Sequence, residues 1–530
     1  MKMKRYIRII ASMLLGGAIL GACNGTDYDF SVCEMKVDRD AIVDVAAQNP
    51  GQEAVVLTTT APYWMVQTPD WITPDATTGY GEQSIITFTI ASNFKNENTD
   101  MAARSGEIKI SGGMTSVIIT VNQLGYTAPV DPDASIGGIT DMDEFKDFVA
   151  AVNNGRSLSR WYNADGEVEL LTDIDLSDFT EWEPIGMPEK VTYGNNSLTY
   201  TGSAFKGKFN GGGHTISNFN LNAAVGKDAA VGFFGMLEGA TVKNLTINGK
   251  MSISATGAGA AGMLAGAMIS TTVENVKVNA DVEFKGTITS DRFAIGGVVG
   301  FTYGTGDANS LIKDCVMTGN VNAVSGDGNT ANGATAAVYG GITGFSTTPA
   351  ESANVIANCE NNGKITASLG RCSGIVATAH AGTTISGCVN NADQVNTFGD
   401  GRIGNIVSVI GTKGCIEDCI NNGNLTTTTA KTTTGAIAAL LNESHVVIKG
   451  GRNNGTIIGG NTSTIGLIAA NFSKFSSVSG FTVSGKIGYY KEDGNHEMQD
   501  LNEGTYMKFI GKITSANLAK VTDIKFEPAK

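Results

Sequence analysis

The chain is expected to be all-β: an immunoglobulin-like sandwich followed by a right-handed parallel β-helix with a short capping helix at the N-terminal end of the solenoid. Three observations lead there. Glycine is 68 of 530 residues, or 12.8% against a usual ~7%, and charged residues are 17% against a usual ~25%. Between about 34 and 124, short runs alternate apolar and polar side chains, with turn residues roughly every ten positions. Beyond 214, one phrase of about nine residues recurs at a period near 30, which is the mark of a solenoid. With 42% hydrophobic residues the chain is not disordered. A net charge of −14 (37 basic minus 51 acidic) argues against a nucleic-acid partner, which needs a basic face.

Residues 1–22 read as an address. Lys2, Lys4, Arg5 and Arg8 precede an apolar run of about twelve residues, Ile9 to Leu20, too short for a bilayer that needs ~20. The run ends Leu20-Gly21-Ala22-Cys23. That ending resembles the lipobox of bacterial lipoproteins, which implies cleavage before Cys23 and lipid on that cysteine. Residues 23–33 are then a tether, whose acidic start Asn24-Gly25-Thr26-Asp27-Tyr28-Asp29 resembles surface-exported lipoproteins of Bacteroidota. The expected location is the outer membrane, exposed on the cell surface, with periplasmic retention as the alternative. The expected membrane contact is the lipid.

In residues 34–124, strands are expected at Val55-Val56-Leu57, Ile85 to Ile90, Gly106 to Ile110 and Val117 to Val121. The order Trp64…Asp70-Trp71-Ile72…Gly81…Asn93…Arg104-Ser105-Gly106…Val121-Asn122-Gln123-Leu124-Gly125 resembles the BACON domain, a family named for a proposed carbohydrate-binding role. Trp64 and Trp71 are read first as packing residues and second as sugar platforms. Residues 125–138, with Pro129 and Pro132, are a linker.

Residues 139–490 are expected to form the β-helix with its N-terminal cap, and 491–530 a C-terminal cap. Thr140 is the expected N-cap, with Asp143 three residues on. Phe145, Phe148, Val149 and Val152 give the helix one apolar face, suited to covering the open end of the first coil. The phrases TDIDLSDFTEWEPIG (172–186), FKGKFNGGGHTISNFNL (205–221) and GFFGMLEGATVKNLTINGKM (232–251) together resemble the GLUG-motif family of bacterial surface proteins.

The repeat stands without the family. Its phrase begins at 215, 241, 272, 311, 355, 384, 415, 447 and 477. Position 2 is mostly Ile or Val and is expected to point inward. Position 5 does too: Phe219, Leu245, Val276, Cys315, Cys359, Cys388 and Cys419. Position 7 passes from Ile247 and Val278 to Asn361, Asn390, Asn421 and Asn453, whose amides could bond along the rod. Gly or Ala at position 9 is read as allowing a tight turn. The four cysteines at position 5 read as a buried thiol ladder, since in-register neighbours aim their Cβ atoms alike and disfavour a bridge. No metal is expected, because CxxC spacing and a nearby His are lacking, and no cofactor.

No catalytic residue is expected. Asp173, Asp175 and Asp178 are the nearest thing to a carboxylate cluster and read as capping or turn residues; His214 reads as structural. No GxSxG, P-loop, HExxH or EF-hand loop is present. Two consecutive coils carry insertions, and insertions on one face of a repeat protein often mark its binding face. The expected ligand-binding patch is therefore Asp291, Arg292, Phe293, Tyr303, Asp307, Asn309, Asp327, Asn329, Asn332 and Glu351. Aromatic, Asn and Asp side chains suit sugar hydroxyls. The expected function is a surface binding or adhesion module for a glycan or a surface protein. The alternatives are a polysaccharide lyase or hydrolase, and a stalk or assembly component without a ligand.

Overall fold

The computed structural model describes residues 33–95, 101–126, 136–179, 181–286, 292–325, 337–349, 353–368, 370–399, 401–460, 464–491, 493–514 and 518–528. Cys23 lies outside these, as do Asp291, Asp327, Asn329, Asn332 and Glu351 of the expected patch. The chain divides into two compact units between Pro132 and Asp133.

The first unit is a sandwich. One sheet runs Met35–Val37, Gln52–Thr59, Gln83–Ile90, Ile72–Pro74; the other runs Ala41–Val45, Thr115–Gln123, Arg104–Gly112, Trp64–Gln67, Thr78–Gly79. Alternation puts Val55, Leu57, Ile86, Phe88, Ile108, Ile110, Ile119 and Val121 fully inside. Trp64 is buried and its Nε1 donates to Ser84 Oγ at 3.2 Å. The Arg104 guanidinium lies 4.4 Å over the Trp71 ring. Trp64 therefore serves packing, and Trp71 lies part-buried against the sandwich core.

The second unit is a parallel β-solenoid with three faces per coil. A long face collects the phrase strands into a 27-stranded sheet; the second and third faces are sheets of eight strands each. All nine phrases fall on the long face, and position 2 stacks in unbroken register: Val242 on Val273, then Ile312, Ile356, Ile385, Ile416, Ile448 and Val478. These side chains are 0–1% exposed, so one apolar column runs through the rod.

Position 4 explains the bend of the long face. It is Asn218, Asn244, Asn275, Asp314, Asn358, Gly387, Asp418, Gly450 and Gly480 in turn, and every one has φ between 51° and 66°. That left-handed backbone is open to Gly and, at low cost, to Asn and Asp, which is why no other residue type occurs there. Position 9 corrects an expectation. Its glycines do not make a left-handed turn. A Cβ on Gly249, Gly319, Gly363, Gly423, Gly455 or Gly485 would meet a carbonyl oxygen of the preceding coil at 1.8–2.0 Å, so close coil-to-coil approach selects them.

The cap also differs by one residue. The helix is Met142–Asn153, and Asp141 is the N-cap, its Oδ1 accepting from the Asp143 and Glu144 amides. Phe145 and Phe148 are buried in an aromatic plug with Trp161, Trp182, Phe205, Phe209 and Phe233 over the first coil. At the other end, His496–Gln499 runs antiparallel to Ile487–Tyr490, and Lys520–Thr522 and Lys525–Phe526 pair onto the last phrase, covering strand edges.

Candidate functional site

The second and third faces each carry an outward row of side chains in register. On the second face the row is Ala230, Ala260, Ala294, Val338, Arg371, Arg402 and Thr433. On the third it is Met236, Ala267, Phe301, Phe345, Thr378 and Val409. An antiparallel hairpin, Pro188–Tyr193 with Leu198–Gly202, packs on the first part of both rows. Its Val191 and Leu198 are buried with Ala230, Ala260, Ala294, Phe301, Val338 and Phe345. Small Ala side chains make room for it, and the exchange buries apolar area on both partners.

Past Val338 the second-face row changes from apolar to cationic, at the place the hairpin tip reaches. Asn195 accepts from Arg292 Nη1 at 3.3 Å through its Oδ1 and from Thr347 Oγ1 at 2.7 Å through its backbone carbonyl. Asn196 Oδ1 lies 3.0 Å from His380 Nδ1. The Arg292 guanidinium sits 4.3 Å over Phe345, which stacks on Phe301 at 4.8 Å. Two coils beyond Arg292, Arg371 is only 7% exposed, and its Nη1 donates to Thr378 Oγ1 at 3.1 Å across the groove. Arg402, half-buried, is its register partner on the next coil.

These cations are under strain. Burial lowers Arg292 to about 10. Burial, with Arg292 and Arg402 adding like charge, lowers Arg371 to about 9, so both stay charged at neutral pH. Burial also lowers His380, with Arg292 and Arg371 pushing the same way and Glu443 opposing. The Nε atoms of Arg292 and Arg371 and the Oγ of Ser373 are buried without a hydrogen-bond partner.

The expected patch is thus divided. Arg292 and Tyr303 belong to this groove; Tyr303 is part-buried against the cluster under the hairpin. Asp307 and Asn309 are exposed on the 304–310 loop, which follows the third-face strand Val299–Tyr303. Phe293 is a correction: it opens a second-face strand, is fully buried and packs on Phe284 at 5.4 Å between ring centres, because period-2 alternation turns it into the core. It belongs to the core and offers no surface to a ligand. The hairpin and the Arg371–Arg402 pair were missed by sequence reasoning, although Val-Thr-Tyr-Gly-Asn-Asn-Ser-Leu-Thr-Tyr (191–200) carries a strand–turn–strand signal.

Elsewhere, Asp173 Oδ1 accepts from the Thr215 amide at 2.9 Å and lies 3.0 Å from His214 Nδ1; Asp175 Oδ1 accepts from the Ser177 amide and Asn218 Nδ2. Those bonds hold both carboxyls below their usual range and tie the strand Ile174–Asp175 to its long-face neighbour at 214–218. Cys315, Cys359, Cys388 and Cys419 are buried, unbridged, and each thiol points to the carbonyl two residues back at 3.3–3.4 Å. Among the described residues no group of three or more His, Cys, Asp or Glu could hold a metal ion. A second opening, an open groove of about 520 Å³, lies at the C-terminal cap among Tyr489, Tyr490, Lys491, Glu497, Gln499 and Lys508.

Fold and groove define the class: an all-β protein with a sandwich unit and a parallel β-solenoid unit. Residues 63–124 of the sandwich match the BACON family model, described as "Putative binding domain, N-terminal", and form a BACON domain. Over 220 residues the chain is 26% identical to halomucin of Haloquadratum walsbyi. That match takes in 41% of this chain but spans only 2% of halomucin. Among solved structures, the chain is similar to "a putative immunoglobulin A1 protease from Bacteroides ovatus", at 16% identity and a TM-score of 0.38, covering 75% of this chain and 86% of that one. It also matches a Bacteroides ovatus GH5 xyloglucanase in complex with a XXXG heptasaccharide, at 14% identity and a TM-score of 0.15, over 35% of this chain and 36% of that one.

Proposed function

We propose that this chain is a surface-displayed binding protein whose ligand is a glycan, anchored in the outer membrane by lipid on Cys23 and without catalytic activity of its own. The observation that carries the reading is the BACON domain at residues 63–124, a family described by its binding role. The solenoid adds rows of side chains repeated at the ~4.8 Å coil spacing, a regular surface that suits a repeating polymer. The groove beyond the hairpin tip supplies donors in guanidinium and hydroxyl form. The test is a glycan and mucin panel probed with the purified protein, with reducing-end and unsaturated-end release measured on the same panel. Retention without product supports binding. Product release shows an enzyme, and silence on every glycan moves the ligand to a surface protein. Fractionation of cells carrying Cys23→Ser tests the anchor: the variant is expected in the soluble fraction, and unchanged membrane association would refute it.

A further inference from the structure

We propose that Arg371 and Arg402, flanked by Arg292, form a binding site for an oxyanionic group, the carboxylate or sulfate of an acidic sugar. The class of ligand rests on the glycan reading above; the site rests on geometry. Arg371 is 7% exposed, on the outward side of its strand, since its neighbour Cys372 belongs to the core. Its described hydrogen bond is from Nη1 to Thr378 Oγ1, and its Nε has no partner. Two residues along the same strand and on the same side, Ser373 Oγ is also buried without one. Arg292 repeats the pattern with an unpartnered buried Nε.

A buried cation is ordinarily paired, because taking it from water costs far more than a neutral polar group does. Here three guanidinium groups gather, and among the described residues none of them forms an ion pair with an acid. Like charges directly opposite on adjacent strands are also unfavourable, yet Arg371 and Arg402 are register partners. The chain has 51 acidic residues against 37 basic, so acids to neutralise the pair are plentiful in the sequence. An oxyanion resting between Arg371 and Arg402 would pair with their guanidinium groups and cancel the like-charge contact. Arginine suits this task, because its planar fork matches carboxylate and sulfate geometry.

The test is thermal unfolding and direct titration of the purified full chain in chloride at constant ionic strength, with sodium sulfate, sodium glucuronate, a sulfated oligosaccharide or neutral glucose added. The wild type is expected to melt higher with the anions than with glucose. Arg371→Gln and Arg402→Gln are each expected to lose that rise and to weaken anion affinity about 10–100-fold, the worth of one charge-assisted hydrogen bond. Arg402 is half-buried, so its variant decides the matter if Arg371→Gln fails to fold. A stronger response to sulfate than to glucuronate assigns the sulfate ester as the recognised group, and the reverse assigns the uronate. An equal rise in wild type and variants is the general salting effect of the anion and overturns the site, as does no rise at all. Neutral glycans held equally by wild type and variants would sink the arginine site and leave the glycan reading standing. An anion response in a protein that retains no glycan would do the opposite.

Discussion

Asn421→Val is the most informative single change in the solenoid. Asn361, Asn390, Asn421 and Asn453 are fully buried on successive coils. Each amide donates to the next: Asn361 to Asn390 at 2.9 Å, Asn390 to Asn421 at 3.0 Å, Asn421 to Asn453 at 2.7 Å. Each also donates its other hydrogen to the carbonyl two residues on. Valine fits the position, since Val278 and Val483 fill it in other coils with no exposure. The cost is therefore polar. Asn421→Val orphans the Asn390 amide donor and the Asn453 Oδ1 acceptor, whereas the Gly423 carbonyl keeps Asn405 as a donor. At ~1–3 kcal/mol per buried orphan the loss is about 2–6 kcal/mol. Asn361→Val stands at the end of the ladder, and its Oδ1 is already without a partner. Removing it orphans the Asn390 Oδ1, takes the Asn361 donor from the Gly363 carbonyl and relieves one existing orphan, so it should cost less. Replacing all four together should cost less than the four single losses combined, because partners leave in pairs. Urea unfolding followed by circular dichroism reads all three. Equal midpoints for Asn421→Val and wild type, or a larger loss for Asn361→Val, would refute the ladder as the source of stability.

Other consequences can be checked in the same way. Asn275→Val forces a β-branched residue into left-handed backbone and should cost about 1–2 kcal/mol, whereas Asn275→Gly should unfold near the wild-type urea midpoint, since Gly387, Gly450 and Gly480 hold that position elsewhere. Burial raises the thiols of Cys315, Cys359 and Cys388 and pushes Cys372 up to about 12. A folded pKa above the unfolded one gives stability that is whole below the unfolded thiol range and is lost as pH rises through it. The urea midpoint should fall from about pH 9 upward, by up to ~1.4 kcal/mol per unit for each such thiol, and Cys388→Val should flatten the fall. In the native protein, a maleimide should label the half-exposed Cys33 and Cys415 ahead of the four ladder thiols; equal labelling rates would contradict burial of the ladder. Phe293→Ala should lower stability by about 3–5 kcal/mol through a core cavity and leave glycan retention per folded molecule unchanged.

The repeat was legible because its inward positions are chemically monotonous. Ile or Val at position 2 and the cysteine and asparagine columns show which way each side chain points. Position 4 was equally visible as Asn, Asp or Gly in nine phrases, but reading it needs the backbone angle as well as the polarity. Position 9 was misread because glycine serves two purposes, positive φ and close approach, and spacing does not separate them. Phe293 was misassigned because it sits beside an insertion, where strand phase is lost. The groove was illegible for a deeper reason: it joins Asn195, Arg292, Thr347, Arg371 and His380, which are far apart in the chain and meet only because parallel stacking and the hairpin bring them together. What the sequence did show there was Arg292, chosen for its loop and found to point into the groove.

The central claim is that this chain binds a glycan without cutting it. A glycan array probed with the purified protein, read beside end-group release from the same glycans, tests it most directly. Retention of at least one glycan with no new reducing or unsaturated ends is the expected result. New ends from any glycan, or no retention across the panel, would contradict it.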